Sequence, residues 1–116
     1  MSVAVEYIDP YDAQGMIERG EAVVVDVREP GEIATSGIVP GALTIPMGNF
    51  AEKADPQSPG HESALKLDTP IILYCASGKR SAAAGKFLVD HGYSKVFNLG
   101  GLKDWTNAGL PVDDAG

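Results

Sequence analysis

Five stretches of the chain are dense in apolar side chains, and polar or turn-forming residues separate them. Ala22-Val23-Val24-Val25-Asp26-Val27 and Pro70-Ile71-Ile72-Leu73-Tyr74 are almost continuously apolar rather than alternating. That is the pattern of strands covered on both faces of a sheet. Shorter runs at Val3 to Ile8, Ala42 to Ile45 and Lys95 to Leu99 predict three more strands. Between these runs the period lengthens. Ala13, Met16 and Ile17 recur at helical spacing behind Asp9-Pro10, an N-cap followed by proline at the first helical position, and Gly20 predicts a left-handed C-cap. The alanine-rich stretch from Ser81 to His91, closed by Gly92, predicts a helix, as does Leu102 to Ala108 with Trp105 facing inward. Glu32-Ile33-Ala34 predicts one short helical turn after the Pro30-Gly31 break, and Pro40-Gly41 and Gly100-Gly101 predict turns. Gly85 falls inside a helical pattern, where it costs up to about 1 kcal/mol against alanine, so close packing against the sheet is expected there.

Strands alternating with helices predict an α/β fold. The sheet is expected to be mainly parallel, of about five strands, with right-handed crossovers and helices on both faces. In such sheets ligands bind beyond the carboxyl ends of the strands, and Cys75 stands at one of those ends. The 116 residues, 44% of them hydrophobic, suit one compact domain spanning 1–116. Between Pro46 and Asp68 a weak helical patch at Phe50 to Ala54 leads into a long polar loop. That segment is expected either to wall the substrate entrance or to be a tolerated surface insertion.

Composition narrows the chemistry. A net charge of −7 argues against nucleic acid as a partner, because phosphate backbones select basic surfaces. The first twenty residues carry Glu6, Asp9, Asp12 and Glu18 and no long apolar run, so neither a signal peptide nor a membrane span is expected. Cys75 is the only cysteine, which excludes an intramolecular disulfide and suits a reducing compartment; a cytoplasmic location is the expectation.

That cysteine lies between the apolar run ending at Tyr74 and the basic, glycine-containing stretch Ala76-Ser77-Gly78-Lys79-Arg80-Ser81. A helix N-terminus, clustered backbone N–H groups and nearby cations all favour a thiolate, and this stretch offers each of them. If the N–H groups from Ala76 to Ser81 turn inward, they form a nest for negative charge around the sulfur. Gly78 permits the tight turn, Arg80 presents a rigid fork to an anion, and Lys79 adds a mobile point charge. Cations at a helix start oppose the macrodipole, so an anionic partner is expected for them. Ser81 is placed to cap or to hydrogen-bond within the loop. Neither His61 nor His91 has a local context suited to a general base, and both are expected at the surface.

The chain resembles the rhodanese family of sulfurtransferases, specifically its small single-domain members, from Glu6 to Val112. The resemblance rests on Val25-Asp26-Val27-Arg28-Glu29, on Gly37-Ile38-Val39-Pro40-Gly41-Ala42, on Cys75-Ala76-Ser77-Gly78-Lys79-Arg80-Ser81, and on Gly100-Gly101, Trp105 and Gly109-x-Pro111-Val112 in that order. It implies a single rhodanese-like domain. It also implies a two-step transfer in which Cys75 takes the outer sulfur of thiosulfate or another sulfane donor, becomes a persulfide, and passes sulfur to cyanide or a thiol acceptor, which could be a partner protein. Lys79 and Arg80 would hold the anionic donor, the N–H groups from Ala76 to Ser81 would cradle the persulfide, and no metal or organic cofactor is implied. One position departs from the family pattern: Ile38 stands where a histidine is common. Asp26 and Arg28 read as an ion-pair scaffold, because burying either alone is costly. Phosphatases and arsenate reductases related by fold carry five residues between cysteine and arginine, whereas Cys75 and Arg80 have four. A non-catalytic docking module is the other alternative, although such modules commonly lack the cysteine.

Overall fold

The computed structural model describes residues 4–114. In chain order the elements are β1 (Glu6–Tyr7), α1 (Pro10–Glu18), β2 (Val23–Asp26), α2 (Pro30–Ser36), β3 (Leu43–Thr44), α3 (Met47–Ala54), β4 (Ile71–Cys75), α4 (Lys79–Asp90), β5 (Val96–Gly101) and α5 (Leu102–Asn107). The five strands form one sheet in the order β1-β5-β4-β2-β3, every pair parallel, as the alternating pattern predicts. The strand expected from Val3 shortens to Glu6–Tyr7, and Val3 itself lies outside the described residues.

β4 sits at the centre, and its alternate residues feed two cores. Ile71, Leu73 and Cys75 pack with Phe50 and Ala54 of α3 and Ala84 and Leu88 of α4. Ile72 and Tyr74 pack with Ala13 of α1 and Leu102 and Trp105 of α5. All five β4 residues are buried, which accounts for the unbroken apolar run. Burying a side chain of this size contributes roughly 1.5–3 kcal/mol, so the strand that delivers the cysteine is also among the most firmly held. A β-carbon on Gly85 would stand 2.9 Å from Val5 Cγ2, so the glycine permits the close helix-to-sheet contact expected of it.

Three boundaries differ from the sequence reading. Pro30 opens α2 at its first position instead of preceding a single turn, and the helix runs seven residues. α4 begins at Lys79, two residues before the alanine-rich run, so both cations belong to its first turn. Gly100 and Gly101 are not a turn; they end β5. Leu73 pairs with Asn98 but Tyr74 with Gly100, so Leu99 is an extra residue that bulges the strand. The bulge sets Gly101 directly beside Cys75.

Candidate active site

β4 ends at Cys75, and only Ala76, Ser77 and Gly78 separate it from α4. Gly78 caps that helix with φ +95°, a left-handed conformation that side chains resist. This turn swings the Gly78 N–H back onto the sulfur, with N···Sγ 3.0 Å. Burial opposes the thiolate and is the largest influence on Cys75. It is outweighed by hydrogen bonds from the Ser81 hydroxyl and from the Ser77, Gly78 and Ser81 amides, which together hold the thiol below its ordinary value. The amides thus face the sulfur, but the cysteine is 0% exposed, so the nest is closed over. Ala76 and Ser77 form its exposed rim.

A buried amide in β5 keeps the loop in shape. Asn98 Nδ2 donates to the Gly78 carbonyl at 3.2 Å, while its Oδ1 accepts from the Gly100 N–H at 2.9 Å and from the Ser81 hydroxyl at 2.8 Å. The same hydroxyl lies 3.5 Å from Sγ. One proton cannot serve both acceptors at full strength, so Ser81 donates to Asn98 beside a neutral thiol and can turn toward a charged sulfur. Asn98 was not singled out from the sequence. The available signal was a polar residue inside the apolar run Val96-Phe97-Asn98-Leu99. Gly101 is the second missed position: a β-carbon there would collide with the Ala76 carbonyl oxygen.

The two cations behave differently. Arg80 Nη1 donates to Glu32 Oε1 at 2.6 Å and Nη2 to Oε2 at 2.8 Å, a bidentate pair with both side chains 36% exposed. Hydrogen bonding from Arg80, with help from the Glu29 N–H, lowers the Glu32 carboxyl to about 2. The Arg80 guanidinium is raised above its ordinary value, chiefly by its pairing with Glu32. It belongs to the first turn of α4, next to Ser81, whose hydroxyl lies 3.5 Å from Sγ. Lys79 is exposed and has no ion pair or side-chain hydrogen bond among the described residues. Glu32 is the third residue the sequence reading missed as part of the site.

Asp26 and Arg28 form the expected ion pair, 2.8 Å between Nη2 and Oδ2 and almost wholly buried. Arg28 also donates to Ser36 Oγ and the Gly37 carbonyl, and so ties α2 to the sheet. Tyr74 stands over this pair, its ring 5.7 Å from the guanidinium carbon, and its hydroxyl accepts from the Val39 N–H. A groove of about 790 Å³ opens beside the rim, between Arg28 and Ser36 on one side and Leu102, Lys103, Asp104 and Thr106 on the other, with Ala76 and Ser77 at its edge.

No residue of the Pro46 to Asp68 segment lines that groove. α3 packs on α4 instead, through Phe50 edge-on to Phe87, and Leu65 anchors the loop in the core. His61 is half-buried rather than at the surface, because its Nε2 lies 3.1 Å from the Tyr93 hydroxyl, which donates to the Ala54 carbonyl at 2.6 Å. His91 is exposed and caps α4, its Nδ1 2.8 Å from the Phe87 carbonyl. Ile38 is held by its main chain, which exchanges two hydrogen bonds with Asp113. The turn therefore keeps its tie without a histidine side chain. Among the described residues no group of three or more His, Cys, Asp or Glu could hold a metal ion, and no helix is long and apolar enough to cross a membrane.

The rhodanese-like domain family matches residues 9–108. A sulfurtransferase of Allochromatium vinosum is 36% identical over 101 residues, covering 86% of this chain and 86% of that protein. The thiosulfate sulfurtransferase GlpE of Haemophilus influenzae strain PittEE is 34% identical over 109 residues, covering 93% and 94%. Among solved structures, RPA3614 of Rhodopseudomonas palustris, described as of unknown function and a possible tyrosine phosphatase, superposes with a TM-score of 0.85 at 35% identity, covering 94% of this chain and 85% of its own.

Proposed function

This chain belongs to the rhodanese-like family, and on that premise we propose that it moves a sulfane sulfur from thiosulfate or a persulfide donor, through a Cys75 persulfide, to cyanide or a thiol acceptor. The observation that carries the reading is the Gly78 N–H aimed at Sγ from 3.0 Å, within a set of amides that favours the thiolate. In the first step the Cys75 thiolate attacks the outer sulfur of thiosulfate. A sulfur–sulfur bond forms at Cys75, the donor's own sulfur–sulfur bond breaks, and sulfite leaves with the electron pair. In the second step cyanide attacks the terminal sulfur, thiocyanate departs, and the thiolate is restored. The Gly78 N–H already points at the sulfur and is in place to hold the negative charge in either step. Lys79, which has no ion pair among the described residues, draws the anionic donor to the rim, while Arg80 is held by Glu32. Because Cys75 is fully covered, entry of the donor requires the exposed Ala76-Ser77 rim to shift.

Intact-protein mass spectrometry after thiosulfate treatment is expected to find one added sulfur atom, lost on adding cyanide and absent from Cys75→Ser. A parent protein that gains the sulfur neither from thiosulfate nor from a hydropersulfide sinks the proposal. The likeness to a possible tyrosine phosphatase makes aryl phosphate the appropriate competing substrate, and the four-residue spacing from Cys75 to Arg80 speaks against its hydrolysis.

A further inference from the structure

Glu32 lies 48 positions before Arg80, yet its two carboxylate oxygens take both arms of the Arg80 fork in the first turn of α4, the turn whose Ser81 hydroxyl lies 3.5 Å from the sulfur. The carboxylate is fixed from the other side too, since Oε1 accepts the Glu29 N–H at 3.0 Å. It is therefore a resident anion, held by α2 where a charged donor would seek Arg80. With Cys75 ionised, the formal charges of Cys75, Glu32, Lys79 and Arg80 cancel, so a dianion entering the site meets no net attraction and an occupied fork. We propose that Glu32 is a specificity-determining residue that selects against dianionic sulfur donors and favours persulfides bearing at most one negative charge near the transferable sulfur. The inference rests on the sulfurtransferase reading above. For such a donor the chemistry balances without an added reagent. The Cys75 thiolate attacks the outer sulfur of R–S–SH, the donor's sulfur–sulfur bond breaks, and R–S⁻ leaves while Cys75 keeps the SH. Nothing in that step requires the fork to be vacated, whereas a dianion must either displace Glu32 or bind beside it against like charge.

The test compares the parent, Glu32→Gln and Glu32→Asp, with thiosulfate and with the hydropersulfide of 2-mercaptoethanol as donors and cyanide as acceptor. Gln keeps an acceptor for the Glu29 N–H and removes the charge. It is expected to lower the thiosulfate KM about tenfold with kcat within about threefold, and to raise the preference for thiosulfate over the persulfide by the same factor. Asp keeps the charge and is expected to hold KM within about threefold of the parent. A thiosulfate KM that stays level or rises in Glu32→Gln overturns the proposal, as does an Asp variant that changes as much as Gln, since geometry rather than charge would then be at work. If Gln does not fold, the Asp variant and the parent's own donor preference decide it: a parent that favours thiosulfate over the persulfide overturns the assignment. Mass spectrometry separates the two levels. A parent that takes sulfur from neither donor removes the sulfurtransferase reading and this one with it, whereas an adduct with an unmoved KM removes only the role of Glu32.

Discussion

At the scale of single residues, Cys75 is governed by two opposed effects, burial raising its thiol pKa and four hydrogen-bonding groups lowering it. The second wins, so the thiolate persists to lower pH than in an ordinary thiol of value 9.0. The rate of iodoacetamide alkylation is therefore expected to reach half its maximum at a pH below 9.0. With the folded pKa depressed, the charged sulfur contributes stability above the unfolded pKa, and that contribution disappears as pH falls through the folded value. Asn98→Ala releases the Gly78 carbonyl and the Ser81 hydroxyl and so loosens the amides; its alkylation midpoint should move up toward the ordinary thiol. A midpoint in Asn98→Ala equal to the parent's would show that Asn98 does not shape the cup. Cys75 as the candidate nucleophile was legible in the sequence because the glycine, the cations and the helix start all lie within six positions of it. Asn98 and Glu32 were not, since nothing local marks them. Each reaches the loop only after distant strands and helices are brought together.

Among the elements, the junction of β4, α4 and the bulged end of β5 decides whether the sulfur faces its amides. Gly101 pairs with Cys75 and leaves no room for a side chain under the Ala76 carbonyl. Gly101→Ala must push the loop away. It is expected to lower stability by about 1–3 kcal/mol through overpacking, and to reduce kcat/KM for sulfur transfer at least tenfold. Thermal melts and steady-state rates check this, and a variant matching the parent in both would mean the loop tolerates the shift. The sequence showed Gly100-Gly101 as a turn because paired glycines usually mark one. Parallel pairing with β4 overrides that local preference, since the glycines fit a strand that runs against another backbone.

For the molecule as a whole, the groove beside the Ala76-Ser77 rim is bordered by α2 and α5, whereas the 46–68 segment is fastened on the α4 side through Tyr93 and His61. Tyr93→Phe removes a buried donor from the Ala54 carbonyl, and is expected to lower stability by about 1–2 kcal/mol while leaving the thiosulfate KM within twofold of the parent. A large rise in KM with normal stability would instead make that segment part of the entrance. The sequence by itself determined the α/β class, the parallel sheet, the family and the thiol, because each is written in patterns a few residues long: apolar period, caps, and the contiguous loop from Cys75 to Ser81. Only the tertiary structure decided that Arg80 is taken by Glu32, that Asn98 braces the loop, and that the cysteine is covered. These are contacts between residues 17 to 48 positions apart or consequences of packing, and no local pattern encodes which distant side chain will arrive.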